Sequence, residues 1–147
     1  MAIAERTAKT VWEGPLASGQ GVVTGNSGAY GDLPVTWAAR TEAPGGKTSP
    51  EELAAAAHSS CFSMALSMRL GEHGATPTRL TVSATVTLDA VDGLPTVVSS
   101  EVTVSAVVPG LDEAEFQAAV DEAAALCPIS RLFAGAKILV NASLDAA

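Results

Sequence analysis

The sequence predicts an α+β domain with the element order β-β-β-α-β-β-α-β, on three observations. RLTVSATVTLD and TVVSSEVTVSAVV alternate apolar and polar residues with the period of two of a half-buried strand. Two further stretches, opening at Ser49-Pro50 and at Asp112, repeat apolar residues every three or four positions behind helix-start signals. The glycine-punctuated text before Arg40 breaks into short apolar runs, as strands joined by turns do. At 147 residues the chain fits one domain spanning 1–147, large enough to bury a continuous core.

Taken in order, VWEG, GQGVVTG and VTWAAR read as two or three strands. Alternation in VTWAAR sets Val35, Trp37 and Ala39 on one face and Thr36, Ala38 and Arg40 on the other, so Arg40 is expected to point away from Trp37. TEAPGGK is a loop. Ser49 as N-cap, Pro50 at the first helical position and Glu52 closing a capping box then start a helix expected to run from about Pro50 to about His73. Its expected core-facing stripe is Leu53, Ala57, Ser60, Cys61, Met64 and Met68.

The next two strands place Leu80, Val82, Ala84, Val86 and Leu88, then Val98, Val102, Val104 and Ala106, on the inner face. AVDGLP supplies the turn of an antiparallel hairpin. Asp112, with Glu115 three residues on, starts a helix whose stripe is Phe116, Ala119, Val120, Ala123 and Cys127. Pro128 ends that helix and favours the first position of a short one, PISRLF, which Cys127 would cap. AKILVNASL closes the chain as a strand.

Composition narrows the function. Hydrophobic residues at 48% and charged residues at 16% exclude a disordered chain. A net charge of -8 argues against nucleic acid or an anionic membrane as partner, because both need clustered positive charge. With no apolar leader and no apolar run of about 18 residues, the expected compartment is the cytoplasm. There a structural disulfide is not expected, so the two cysteines, Cys61 and Cys127, are either inert core thiols or a transient redox pair.

A thiol reacts as its thiolate, which needs a nearby cation or helix N-terminus at neutral pH. Cys127 would have a helix N-terminus; Cys61, in mid-helix, would need a cation, with Arg40, Arg69, Arg79, Arg131 and His58 as candidates. His58, three residues before Cys61, reads either as a packed or solvated side chain or as a base. Two Cys and two His without paired ligand spacing give no metal site, and no cofactor is called for. No serine lies on the strained turn that a serine hydrolase needs.

PEELAAAAHSSCFSMALSMRLGEHGATPT, together with VWEG, VPGLDEAEFQ and CPIS, resembles the OsmC branch of the OsmC and organic-hydroperoxide-resistance (Ohr) family of hydroperoxide reductases. Ser59-Ser60 stand where relatives often have two alanines, adding two hydroxyls near the sulfur. The resemblance implies an intertwined homodimer, with central helices packed against antiparallel sheets and active sites at the subunit interface. It implies that Cys61 is the peroxidatic nucleophile and Cys127 the resolving thiol, that Arg40 and Glu51 complete the site, and that an external dithiol such as a lipoyl protein resets the pair. Glu51 also fits a plain role beside the helix dipole. Glu51 and Cys61 are separated by roughly 15 Å of straight helix, which places Arg40 across the gap or the Arg40–Glu51 pair in the other subunit. Two other readings stand beside this one: an Ohr-type enzyme for bulkier organic peroxides, and a non-catalytic stress-associated protein that binds apolar ligands and keeps its thiols inert.

Overall fold

The computed structural model describes residues 1–146 and divides into two compact parts, Met1–Leu53 and the remainder from Ala54. The first holds an antiparallel sheet of β1 (Ala8–Glu13), β2 (Gln20–Gly25) and β3 (Leu33–Val35), in that spatial order. Gly21 faces Trp12 in one neighbour and Val35 in the other. A Cβ there would lie 2.8 Å from Val35 and 2.9 Å from Trp12, so glycine lets the two larger side chains close over the middle strand.

The strand expected through VTWAAR stops at Val35, and Trp37–Thr41 forms a short helix, α1. Thr36 caps it, its hydroxyl accepting from the Ala39 N–H at 3.1 Å. Over so few residues alternation does not exclude a helical turn, and Ala38 and Ala39 behind a threonine cap favour the helix. Trp37 and Arg40 are three apart on that helix, so Arg40 does not point away from Trp37: its guanidinium carbon lies 5.9 Å from the Trp37 ring centre.

Helix α2 spans Pro50–Glu72, matching the expected limits to one residue. Ser49 is its cap, accepting from the Glu52 N–H at 3.1 Å, but the capping box does not close. Glu52 instead accepts from the Thr48 hydroxyl at 3.0 Å, where Thr48 bridges to Val35. The buried face also differs from the expected stripe: His58, Phe62, Ala65, Leu66 and Leu70 are buried, while Met64 and Met68 are 70% and 48% exposed. Apolar residues lie on nearly every side of this helix, so spacing alone does not choose a face. Phe62, Leu66 and Leu70, at steps of four and eight, win by size.

In the second part β4 (Arg79–Val91) and β5 (Leu94–Val107) form the expected hairpin. Its loop is Asp92-Gly93 alone, both with positive φ (52° and 79°), the two-residue turn whose twist matches the strands. A bulge between Thr87 and Leu88 leaves Val98 without a partner. Helix α3 (Glu113–Leu126) starts at a complete capping box of Asp112 and Glu115, and α4 (Pro128–Leu132) follows with Cys127 as cap residue. Helix α4 is the short PISRLF helix expected behind Pro128, while α1 is an addition to the expected order.

Strand β6 (Lys137–Leu144) pairs with β5 in parallel, so this sheet, ordered β4-β5-β6, is mixed rather than antiparallel as expected. The α3–α4 crossover carries the chain back and sends β6 along β5 in the same direction. Phe62, Leu66 and Leu70 of α2, Val102, Val104 and Ala106 of β5, and Phe116, Ala119, Val120 and Ala123 of α3 form the core. Among the described residues no helix is long and apolar enough to cross a membrane.

Candidate active site

The side chains singled out by the sequence fall into two pairs. In the first part of the chain, Arg40 donates through Nε and Nη2 to the Glu51 carboxylate, at 2.7–3.1 Å. Arg40 comes from the last turn of α1 and Glu51 from the first turn of α2, so two helix termini aim the contact. Both side chains are half-buried or better, at 28% and 11% exposure. The side-on fork fixes the plane of the guanidinium and leaves its Nη1 edge uncommitted to Glu51. Beside it Trp12, Val35, Trp37, Arg40, Pro50 and Leu53 line a largely apolar cavity of about 320 Å³.

In the second part, Cys61 of α2 and Cys127 at the α3–α4 corner are free thiols in side-chain contact. Cys61 is partly exposed and Cys127 fully buried, so an incoming reagent has access to Cys61. Burial pushes the Cys61 thiol up, the Ile129 N–H offsets part of this, and Cys127 beside it pushes it up further. Burial also acts against a Cys127 thiolate, but the N–H and hydroxyl of Ser130, the Cys61 thiol and the Ile129 N–H together bring its pKa below the ordinary value. Cys127 makes no side-chain cap hydrogen bond on α4, so the first turn favours its thiolate through the helix dipole and nearby donors. Within one protomer the surroundings thus favour a thiolate at Cys127 over one at Cys61.

His58 is neither solvated nor beside the sulfur as a surface base. It is fully buried, with Nδ1 2.6 Å from the Ser100 hydroxyl, Nε2 2.8 Å from the Ser130 hydroxyl, and its ring edge-on to Phe133. Burial holds its pKa below the ordinary 6.5, so the ring is neutral. Ser100 and Ser130 are the members that sequence reasoning missed. The signals for them were a serine at an inward-facing position of β5, in step with Val102 and Val104, and another three residues after Cys127.

Arg69, Ser59 and Ser60 are engaged elsewhere, and Arg79 and Arg131 are exposed. Arg69 pairs with Glu72 and approaches Glu122, which also meets His73. Ser59 and Ser60 do not turn their hydroxyls to the sulfur: each donates to a carbonyl of its own helix, Ala56 and Ala57 respectively.

Residues 43–142 match the family described as OsmC-like protein. The chain is 41% identical over 121 residues to the peroxiredoxin OsmC of Escherichia coli (strain K12), covering 82% of this chain and 84% of that protein. Among solved structures, an organic hydroperoxide resistance protein OsmC from Legionella pneumophila superposes with a TM-score of 0.72 at 25% identity, covering 99% of both chains. The organic hydroperoxide resistance protein OhrB of Bacillus subtilis follows with a TM-score of 0.65 at 27% identity, over 95% of this chain and 98% of its own. Sequence match, shared fold and the paired thiols agree: the chain belongs to the OsmC family.

Proposed function

We propose that this protein is a thiol-dependent peroxidase that reduces organic hydroperoxides, and hydrogen peroxide, through a Cys61 sulfenic acid and a Cys61–Cys127 disulfide. The observation that carries this reading is the contact between a partly exposed thiol and a buried one, on a chain related to a peroxiredoxin. The Cys61 thiolate attacks one peroxide oxygen, the O–O bond breaks, and the other oxygen leaves as alcohol or water after taking a proton. Cys127 then attacks the Cys61 sulfur; the S–O bond breaks, the S–S bond forms and water leaves. A dithiol, of the kind a lipoyl protein carries, returns the pair to thiols by exchange.

Burial and a like-charged neighbour work against a Cys61 thiolate, so the attacking form needs a cation. Arg40 is that cation in this reading, oriented by Glu51 and stabilising the charge that develops on the departing oxygen. The protein acts as a homodimer, with the Arg40–Glu51 pair of one protomer serving the Cys61 thiol of its partner. The apolar cavity beside Arg40 favours a peroxide with an organic substituent. Residues 1–147 work as a single OsmC-like domain in the reducing cytoplasm.

The test is consumption of cumene hydroperoxide with a dithiol reductant, by the wild-type protein and by Cys61→Ser. The variant is expected to lose turnover, and multiple turnovers by Cys61→Ser would overturn the assignment. Loss of two thiols per chain on stoichiometric peroxide separates the enzyme from an apolar-ligand binder with inert thiols, in which none is lost.

A further inference from the structure

Outside the two thiols, His58 is the fully buried ionisable side chain among the described residues, and the chemistry above gives it no task. A histidine kept for packing is commonly locked in one tautomer by a carbonyl or carboxylate. Here both ring nitrogens face hydroxyls, Ser100 on β5 and Ser130 on α4. A hydroxyl donates or accepts by rotating, so either neutral tautomer and the imidazolium remain hydrogen-bonded on both sides. Ser130 also stands on the first turn of the helix that Cys127 caps, and its hydroxyl acts on the Cys127 sulfur. A hydrogen-bonded line thus runs from Ser100 through His58 to Ser130, three residues beyond the buried Cys127, through an otherwise apolar core.

We propose that Ser130 and His58 form a buried proton relay for Cys127, with Ser130 on the helix turn that follows the sulfur and His58 acting through it as a positioning residue. The inference rests on the reading of Cys61 and Cys127 as a redox pair. When peroxide attack leaves Cys61 as sulfenic acid, Cys127 must be a thiolate to condense with it. The Cys127 S–H proton passes to the Ser130 oxygen as the Ser130 O–H proton passes to His58 Nε2. The freed thiolate forms the S–S bond, the Cys61 S–O bond breaks, and the oxygen leaves as hydroxide. A proton equivalent to the one His58 took is then released and makes that hydroxide water. The neutral ring produced by burial is the form that can accept the proton. The titratable groups on this line are the two thiols. Phe133 packs against the ring, and among the described residues no Asp, Glu, Lys or Arg pairs with it.

The experiment is single-turnover oxidation of the full-length protein by one equivalent of cumene hydroperoxide. Dimedone trapping followed by mass spectrometry times the rise and decay of the Cys61 sulfenic acid. In Ser130→Ala and His58→Asn the decay to disulfide is expected to slow on the order of 10²-fold, far more than the rise. The decay should also become steeply faster with rising pH, since hydroxide must now remove the Cys127 proton, and Ser130→Thr should restore the wild-type rate and profile. Condensation in Ser130→Ala at the wild-type rate and pH profile would overturn the relay, as would equal slowing of rise and decay, the mark of a merely structural role. If His58→Asn does not fold, the Ser130→Ala and Ser130→Thr pair decides. Failure of the wild-type protein to form any sulfenic acid or disulfide removes the redox-pair reading instead, and the relay with it.

Discussion

Arg40 and Glu51, eleven positions apart, are joined through one edge of the guanidinium, with the last turn of α1 and the first turn of α2 behind them. The fork depends on a planar cation with two parallel donors. Arg40→Lys keeps the charge and loses the second donor and the stacking on Trp37. The second-order rate of peroxide consumption is expected to fall on the order of 10²-fold in Arg40→Lys and in Glu51→Gln, as for a misplaced positioning group. Wild-type rates in both variants would remove the pair from the site.

Removal of Cys127 should make Cys61 more acidic. Of the influences that raise the Cys61 pKa, burial remains in Cys127→Ala while the contact with the second sulfur is lost. A titration of thiolate ultraviolet absorbance in Cys127→Ala should therefore show a lower pKa for Cys61 than the higher of the two values of the wild-type pair. An unchanged or higher value contradicts the contact.

His58 ties stability to pH. Its folded pKa is depressed below the unfolded 6.5, so its contribution is fully present above pH 6.5 and is lost as pH falls toward the folded value. Between those two values the loss approaches about 1.4 kcal/mol per pH unit. Urea denaturation across this acidic range should show the slope in the wild-type protein and a flatter one in His58→Gln, whose side chain does not titrate. Equal slopes would mean that His58 titrates normally.

The closed capping box and the Asp92-Gly93 turn make separable contributions to folding. Asp112→Ala should cost about 1 kcal/mol, since it removes the acceptor for the Glu115 N–H. Gly93→Ala, at φ 79°, should cost about 1 kcal/mol through backbone strain in an otherwise open position. Both are measured by urea denaturation, and a stability equal to wild type in either variant would contradict the local account.

These features also mark what the sequence made legible. Asp112 with Glu115, Asp92-Gly93 between alternating runs, and Cys127-Pro128 are local signals, and each forms as expected because neighbours in sequence make the bonds. The helix at Trp37–Thr41 was not legible, since five residues do not distinguish the two periods. The buried face of α2 is not legible because Cys61, Met64 and Met68 offer a second apolar side, and only packing against β5 and α3 selects Phe62, Leu66 and Leu70. The direction of β6 depends on how α3 and α4 return the chain, which spacing does not encode. The role proposed for Arg40 and Glu51 came from family likeness, whereas the Ser100–His58–Ser130 line joins three distant segments and needed the fold.

The two sulfurs lie on α2 and at the corner of α3 and α4, with the whole β4–β5 hairpin and α3 in the chain between them. A bond between them closes that long loop, which by loop entropy stabilises the folded chain by roughly 4 kcal/mol. Each turnover is then also a cycle of fastening and release, in which the oxidised protein resists heat and protease and the reduced protein yields sooner. How hard the chain is to unfold becomes a gauge of whether its peroxide has been met and its reductant has arrived.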